Sequence, residues 1–311
     1  MIKTALHNLF EEQLKNWPLA AKNFNSLSLV ESKRLEVDGV EYIVQFNPAR
    51  ITSSAAKVDT KSIQERKCFL CSANRPTEQT GIEREPYTIL INPFPIFPLH
   101  LTIPDNNHVD QLIAGRVVDM LELAKELDEY VIFYNGPKCG ASAPDHMHFQ
   151  AGNKGFLPLE MHIEDTPKDA LITVDNASTI FLLKDEPRNT VLIKGRDKAS
   201  VSQLFDNLYN ELPIQDGEKE PMLNLLAWYS NDCYYLIVLL RKKHRPACYF
   251  ETGEKRILSS PASVDLGGVF ITPIEEDFKK INTDNIKQIL SEICLNREEV
   301  IQIIQQLKRK L

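Results

Sequence analysis

PDHMHFQAG, residues 144–152, places two histidines two apart and a glutamine two further on. In a strand, successive side chains alternate faces, so His146, His148 and Gln150 would share one face and Met147 and Phe149 the other. The pattern predicts a strand with one working face. A strand whose polar face merely meets water has the same spacing, so the neighbouring sequence has to decide.

Upstream, EYVIFYNG (129–136) reads as a strand, and the loop Asn135 to Pro144 joins it to the histidine stretch. Before that, Val109, Leu112, Ile113, Val117, Met120, Leu121, Leu123 and Leu127 recur at helical spacing and predict a helix from His108 to Leu127. YTILINPFPIFPLHLTIPDNN (87–107) reads as strand, turn and strand, because Pro93, Pro95, Pro98 and Pro104 exclude a helix. Residues 1–17 predict an amphipathic helix with Leu6, Leu9, Phe10, Leu14 and Trp17 on one side. Asp38-Gly39 between alternating runs predicts a hairpin. Residues 49–67 read as a polar loop and 72–86 as a turn-rich linker. The second half repeats the order faintly: strands at 178–185 and 189–197, a helix at 198–212 and, after a linker, a strand at 234–242. The C-terminus from Asp284 is helical. The expected class is α+β, with two related, mainly antiparallel units, residues 1–165 and 166–311.

With 43% hydrophobic and 25% charged residues, the composition is that of an ordinary globular protein. A net charge of -7 argues against a long nucleic acid as partner. No apolar run approaches the roughly 18 residues of a membrane helix; YYLIVLL (234–240) stops at Arg241-Lys242-Lys243. Six cysteines in 311 residues are too sparse for a disulfide scaffold, so the expectation is a cytoplasmic protein with reduced thiols and no membrane partner.

Cys68-Phe69-Leu70-Cys71 admits a redox pair, half a zinc site or chance. It precedes a proline-rich turn rather than opening a helix, which favours a knuckle. Two further ligands would come from His100, His108 and His146, with His162 and His244 less well placed. In the 135–144 loop, Gly136 and Gly140 allow backbone N–H groups to approach an anion, and Lys138 and Ser142 add donors. The order of residues is not that of a Walker loop. The basic run Arg241 to Arg245 either solubilises a strand end or meets a phosphate; Lys57, Arg75 and Lys154 are similar candidates. Gly267-Gly268 suits either a turn or close approach of a base or sugar.

Taken together, these motifs resemble the histidine-triad superfamily, in particular its galactose-1-phosphate uridylyltransferase-like branch, which includes diadenosine tetraphosphate phosphorylases and GDP-L-galactose phosphorylases. His146-Met147-His148-Phe149-Gln150 matches the H-x-H-x-Q motif of that branch, and residues 93–108 resemble the turn and strand that precede its first helix. The similarity runs from about Cys68 to Gly152. The resemblance implies a histidine-triad-like fold, with 1–165 as the catalytic unit and 166–311 as a degenerate repeat. It implies His148 as the nucleophile and Gln150 as the group holding phosphoryl oxygens. Cys68, Cys71, His108 and His146 match ligands of a structural zinc, His100 a non-ligand histidine, and Asn135 and Ser142 phosphate-side donors; Gly140, Lys138 and Arg245 complete the expected phosphate-binding set. Met147 stands where uridylyltransferases usually have proline, and Ser142 is one residue further from His146 than in the bacterial enzymes.

The implied activity is nucleotidyl transfer or phosphorolysis through a nucleotidyl-histidine, on a GDP-hexose-like nucleotide sugar or a dinucleoside polyphosphate, with phosphate or a sugar phosphate as acceptor and no organic cofactor. Imidazole suits a nucleophile that must be neutral near pH 7. Glutamine in third place suits a leaving group that is already a phosphate and needs no general acid. A hexose-1-phosphate uridylyltransferase, a non-catalytic nucleotide-binding protein and a thiol-disulfide enzyme are the competing readings, and a homodimer is an admissible assembly.

Overall fold

The computed structural model describes residues 2–51, 60–174 and 178–311. The chain opens with α1 (Ile2–Asn16) and α2 (Pro18–Asn25), then the hairpin β1 (Glu31–Val37) and β2 (Val40–Phe46). Asp38 and Gly39 form its turn at φ 50° and 80°, the left-handed pair that matches strand twist. Next come α3 (Thr60–Glu65), β3 (Gly81–Arg84), β4 (Tyr87–Ile91), β5 (His100–Pro104), α4 (Val117–Glu126), β6 (Tyr130–Asn135), β7 (His148–Asn153) and α5 (Pro158–His162). The second half supplies β8 (Lys168–Val174), β9 (Ser178–Leu183), β10 (Val191–Gly195), α6 (Lys198–Tyr209), β11 (Leu223–Ser230) and β12 (Cys233–Leu240). It closes with α7 (Ser263–Leu266), β13 (Val269–Thr272), α8 (Glu275–Lys280), α9 (Thr283–Ile293) and α10 (Arg297–Lys308).

Ten strands form one antiparallel sheet in the order β3-β4-β5-β7-β6-β11-β12-β10-β9-β8. Read inward from both ends, each strand faces its counterpart five places later in the chain, so the two halves share one order. They join through β6 and β11, from Asn224↔Asn135 to Ala227↔Ile132. Alternation sends Ile132, Tyr134, Phe149 and Ala151 to a face covered by α1, α2, α4, α6 and α10. Val131, Phe133, Leu226 and Trp228 turn to the opposite face, where the small sheet β1-β2-β13 and helices α5, α7 and α9 pack. Among the described residues no helix is long and apolar enough to cross a membrane.

Several sequence expectations change. The helix expected from His108 begins only at Val117. Residues 108–113 run instead beside the histidine loop, with Met147 N donating to Val109 O and Gln111 N to Pro144 O, and Gly115 turns the chain at φ 70°. His146 lies in the turn before β7, not on the strand. Part of the expected polar loop is α3, while residues 52–59, including Lys57, lie outside the described residues. Two expected linkers hold strands, β3 and β11. Gly267 and Gly268 serve packing: a Cβ would stand 3.0 Å from Leu157 Cδ1 and from Pro158 Cβ respectively.

The two halves differ where β6 meets β7. Their counterparts β11 and β12 are joined by Asn231-Asp232 alone, at φ 50° and 57°, whereas residues 136–147 intervene between β6 and β7. The candidate site is built on that longer loop.

Candidate functional site

Across the sheet, His148 pairs with Pro104 and Gln150 with Thr102 and Phe133. The β6–β7 ladder ends there, and a side chain fills the gap beyond it. Gln111, fully buried, accepts from His148 N at 2.7 Å and donates to the carbonyls of both His148 and Asn135 at 3.0 Å. The nucleophile candidate is therefore held by its own backbone. Sequence reasoning missed Gln111; the signal was a polar residue immediately before Leu112 and Ile113 in an apolar run.

His148 is 4% exposed. Its Nδ1 lies 2.8 Å from the carbonyl of His146. A carbonyl only accepts, so Nδ1 carries the proton and Nε2 the lone pair. Nε2 has no hydrogen-bond partner among the described residues. Burial pushes the imidazole down to about 4, against the opposing effect of the His146 carbonyl, so the ring is neutral near pH 7.

Gln150 is oriented in the same manner. The backbone N–H of Ile96 donates to His100 Nδ1 at 3.0 Å, so the His100 proton sits on Nε2, which faces Gln150 Oε1 at 3.2 Å. Asn92 Nδ2 donates to that oxygen at 3.3 Å. The NH2 group of Gln150 is left to point elsewhere. Burial and the charge of Arg50 push His100 down to about 3, which keeps it neutral. His100 thus fixes an amide, with both of its ring nitrogens engaged. Arg50, also missed, bonds Phe94 O at 2.5 Å and leaves a sealed Nε without a partner among the described residues.

The loop residues are spread unevenly. Asn135 is buried and its Oδ1 accepts two bonds at 2.9 Å, from Asn224 Nδ2 and Ser263 N. Ser142 is half-buried in the loop. Lys138 lies 3.7 Å from Glu218. Gly140, at φ 94°, is a glycine for a packing reason: a Cβ there would stand 2.5 Å from that of Ala262. Arg245 stacks at 4.2 Å on Tyr249 and its Nε donates to Ser260 Oγ at 3.1 Å.

Cys68, Cys71, His108 and His146 come together, their ligand atoms all within 4.8 Å of one another. Cys68 Sγ is 3.3 Å from His146 Nδ1, and Cys71 Sγ is 3.2 Å from His108 Nδ1. Sulfur and nitrogen at those separations lie near the edge of a tetrahedron with metal bonds of about 2.3 and 2.1 Å. His146 Nε2 faces the carbonyl of Asp105 at 2.8 Å, the second bond that commonly leaves the other nitrogen free for a metal. Two thiols and two imidazoles fit a closed four-ligand site. Burial opposes ionisation of Cys68, but without a metal a proton on His146 Nδ1 and the backbone N–H groups of Leu70 and Cys71 bring its thiol down to about 6. His100 is excluded from this cluster by its bonds to Ile96 and Gln150.

Comparison with known proteins agrees with this architecture. A family described as a domain of unknown function (DUF4922) matches residues 9–153, a little under half of the chain. A galactose-1-phosphate uridylyltransferase of Halalkalibacterium halodurans is 24% identical over 161 residues, 46% of this chain. The chain spans about a third (31%) of that relative's length. The crystal structure of yeast Ap4A phosphorylase in complex with Ap4A superposes with a TM-score of 0.64 and 17% identity, covering 93% of this chain and 97% of that one. Its complex with AMP gives a TM-score of 0.58 at 16% identity, with the same coverage. Both relatives are enzymes that act on nucleotides by name, and the fold of this chain is the histidine-triad-like fold of that phosphorylase.

Proposed function

We propose that the chain is a nucleotidyltransferase or phosphorylase that works through a covalent nucleotidyl-His148. The observation that carries this reading is the state of His148: held by its backbone, neutral, Nδ1 tied to a carbonyl, and Nε2 free on the face it shares with the amide of Gln150. In the first step the Nε2 lone pair forms a bond to the α-phosphorus. The bond from that phosphorus to the bridging oxygen breaks, and the remainder of the substrate leaves as a phosphate. In the second step an oxygen of inorganic phosphate attacks the same phosphorus, the P–N bond breaks and its electron pair returns to the imidazole. Charge on the phosphoryl oxygens is met by the NH2 of Gln150, which donates without titrating. Asn135, Ser142 and the loop N–H groups lie on the phosphate side in this reading, with Gly140 shaping the loop and Lys138 and Arg245 further out.

Cys68, Cys71, His108 and His146 would hold zinc. Four protein ligands leave no open position for water, so the metal supplies geometry only, steadying the turn that feeds β7.

Two substrate classes are supported, one by sequence and one by fold. A nucleoside-diphosphate hexose would yield a hexose 1-phosphate and a nucleoside diphosphate, in line with the H-x-H-x-Q-A sequence of residues 146–151. A dinucleoside polyphosphate is favoured by the fold shared with a phosphorylase crystallised with Ap4A and with AMP. The deciding experiment offers GDP-, UDP- and ADP-hexoses and dinucleoside polyphosphates with phosphate as acceptor, and identifies products by mass spectrometry. Phosphate-dependent cleavage of one class is the expected result. Cleavage by water alone, or no turnover of any of them, would reject the proposal.

A further inference from the structure

Asn135 reaches the nucleophile's face from β6, and its amide is useful to an anion only one way round. We infer that Arg241 and Asn224, both from the second half of the sheet, fix that amide with its NH2 toward the His148 face. They are positioning residues, acting through Asn135. The inference rests on reading that face as a phosphoryl site.

The orientation follows from which groups can only donate. Arg241 is 4% exposed, and a guanidinium has no acceptor. Its Nη2 donates to the carbonyls of Lys243 and His244 at 3.0 and 2.9 Å, and its Nη1 to that of Pro261 at 2.9 Å. Held by three backbone carbonyls, Nη1 also meets Asn224 at 2.8 Å, so Asn224 must turn its oxygen there. Asn224 is fully buried. Its Nδ2 then falls 2.7 Å from the carbonyl of Cys139 and 2.9 Å from Asn135. The Cys139 carbonyl requires a donor as well, so both ends of Asn224 agree. Asn135 now faces two donors, Asn224 Nδ2 and the backbone N–H of Ser263 at 2.9 Å, and must present its oxygen to both. Its NH2 is the group left over, without a partner among the described residues.

Strand alternation says where that NH2 goes. Tyr134 packs on the helical face and Phe133 on the opposite one, so Asn135 falls on the face of Phe133. That is the face of Gln150, the cross-strand partner of Phe133. Gln111 bonds the carbonyls of both Asn135 and His148, which makes the two backbones neighbours. The relay mirrors the one from Ile96 through His100 to Gln150. Two amides near His148 are thereby turned donor-outward, one by each half of the sheet. Reversing Asn135 would aim a carbonyl at the anion and set its NH2 against two donors. Both buried asparagines keep all of these hydrogen bonds only in this arrangement, although Arg241 Nε is itself buried without a partner among the described residues.

The test has a part that needs no substrate. Side-chain amide exchange is followed by NMR in the full-length, isotope-labelled protein. The Asn224 NH2, bonded to two carbonyl oxygens, is expected to exchange at least about tenfold more slowly than the Asn135 NH2. The reverse order would overturn the inference. In the second part, turnover of the substrate found by the product screen is measured for Asn224→Asp, Asn135→Ala and the double variant. The carboxylate of Asn224→Asp keeps an acceptor for Arg241 but loses the donor to both Asn135 and the Cys139 carbonyl, and urea unfolding first verifies that each variant is folded. Each single variant is expected to lower kcat/KM about 100-fold, the scale of one lost oxyanion donor. The double variant is expected within about threefold of Asn135→Ala, because Asn224 acts through Asn135. Losses that multiply would mean Asn224 merely ties the loop to the second half, and would refute the relay. Should the wild type turn over nothing, the proposed function fails, and the exchange order alone decides the relay.

Discussion

Replacing Glu220 by glutamine should stabilise the protein above pH 7 and do so far less at pH 5. Glu220 is 3% exposed. Its Oε2 accepts from Ile113 N at 2.9 Å and its Oε1 lies 2.5 Å from the hydroxyl of Tyr134. Burial pushes the carboxyl up to about 7, although those two bonds pull the other way. The contacts support a proton there. The Tyr134 hydroxyl is also 3.1 Å from the carbonyl of Gln111, and it has one hydrogen for two acceptors. If Glu220 is protonated it donates to Tyr134, Tyr134 donates to Gln111, and every group is satisfied.

The folded state binds this proton more tightly than the unfolded chain. The stability it contributes is therefore fully present below the ordinary 4.5 and is lost as the pH rises through about 7. A rise of that size, at about 1.36 kcal/mol per unit, corresponds to about 3 kcal/mol between pH 4.5 and a pH well above 7. The amide of Glu220→Gln would accept from Ile113 and donate to Tyr134 at any pH, so the variant escapes the loss. Urea unfolding of both proteins at pH 5 and pH 8.5 measures the difference. The expected outcome is a variant more stable by under about 1 kcal/mol at pH 5 and by about 3 kcal/mol at pH 8.5, with unchanged m. A variant destabilised equally at both values would mean that Glu220 is ionised throughout and that the proton relay to Gln111 does not exist.

Three further outcomes are expected. His148→Ala should lower turnover by about a thousandfold or more, and an α-labelled nucleotide without acceptor should leave acid-labile, base-stable label on a peptide containing His148 of the native protein; label on His146 or His100 would contradict the assignment. Protein prepared without chelator should carry about one zinc per chain, and Cys68→Ser or metal removal should lower the melting temperature; metal analysis showing none would refute the site. In Gly152→Ala the new Cβ would overlap the ring of Phe97, so overpacking should cost about 1 to 3 kcal/mol in urea unfolding, and an unchanged midpoint would contradict that packing.

How much of this was legible in the sequence depends on what each residue has to signal. The Asp38-Gly39 hairpin was legible because its turn demands left-handed backbone, and helix α6 because Val201, Leu204, Phe205 and Leu208 follow one period. β11 was not: six residues, Leu223 to Trp228, are all buried. A strand covered on both faces has no alternation to read and passes for a linker with apolar residues. The start of α4 was misplaced for a different reason. Val109, Leu112 and Ile113 keep helical spacing with Val117 onward by coincidence, while Val109 O accepts from Met147 N of the histidine loop and Ile113 N donates to Glu220.

Of the candidate site, chemically distinctive groups were legible and the groups that orient them were not. The four cysteine and histidine side chains that gather into one cluster announce themselves by type, as do His148 and Gln150. Gln111, Asn224 and Arg241 each lie 4% exposed or less, yet as residue types they read as surface. Their common mark is position. Each is polar within or at the end of an apolar run: Gln111 before Leu112-Ile113, Asn224 in LNLLAW, Arg241 after YYLIVLL. Burying such a group is costly unless it is bonded, so each implies a partner not visible in the sequence. Gln111 finds its partners on β6 and β7 beside His148, Asn224 on β6 and in the loop of residues 136–147, and Arg241 on Asn224 and three loop carbonyls. The counterpart turn Asn231-Asp232 lets β11 and β12 pair to the end, which leaves no splayed backbone for a side chain to bridge. β6 and β7 part after Phe133↔Gln150, and Gln111 enters there. The same chain order thus gives one half a closed hairpin and the other an opened one, and only the opened one can hold a histidine by its backbone while leaving Nε2 free.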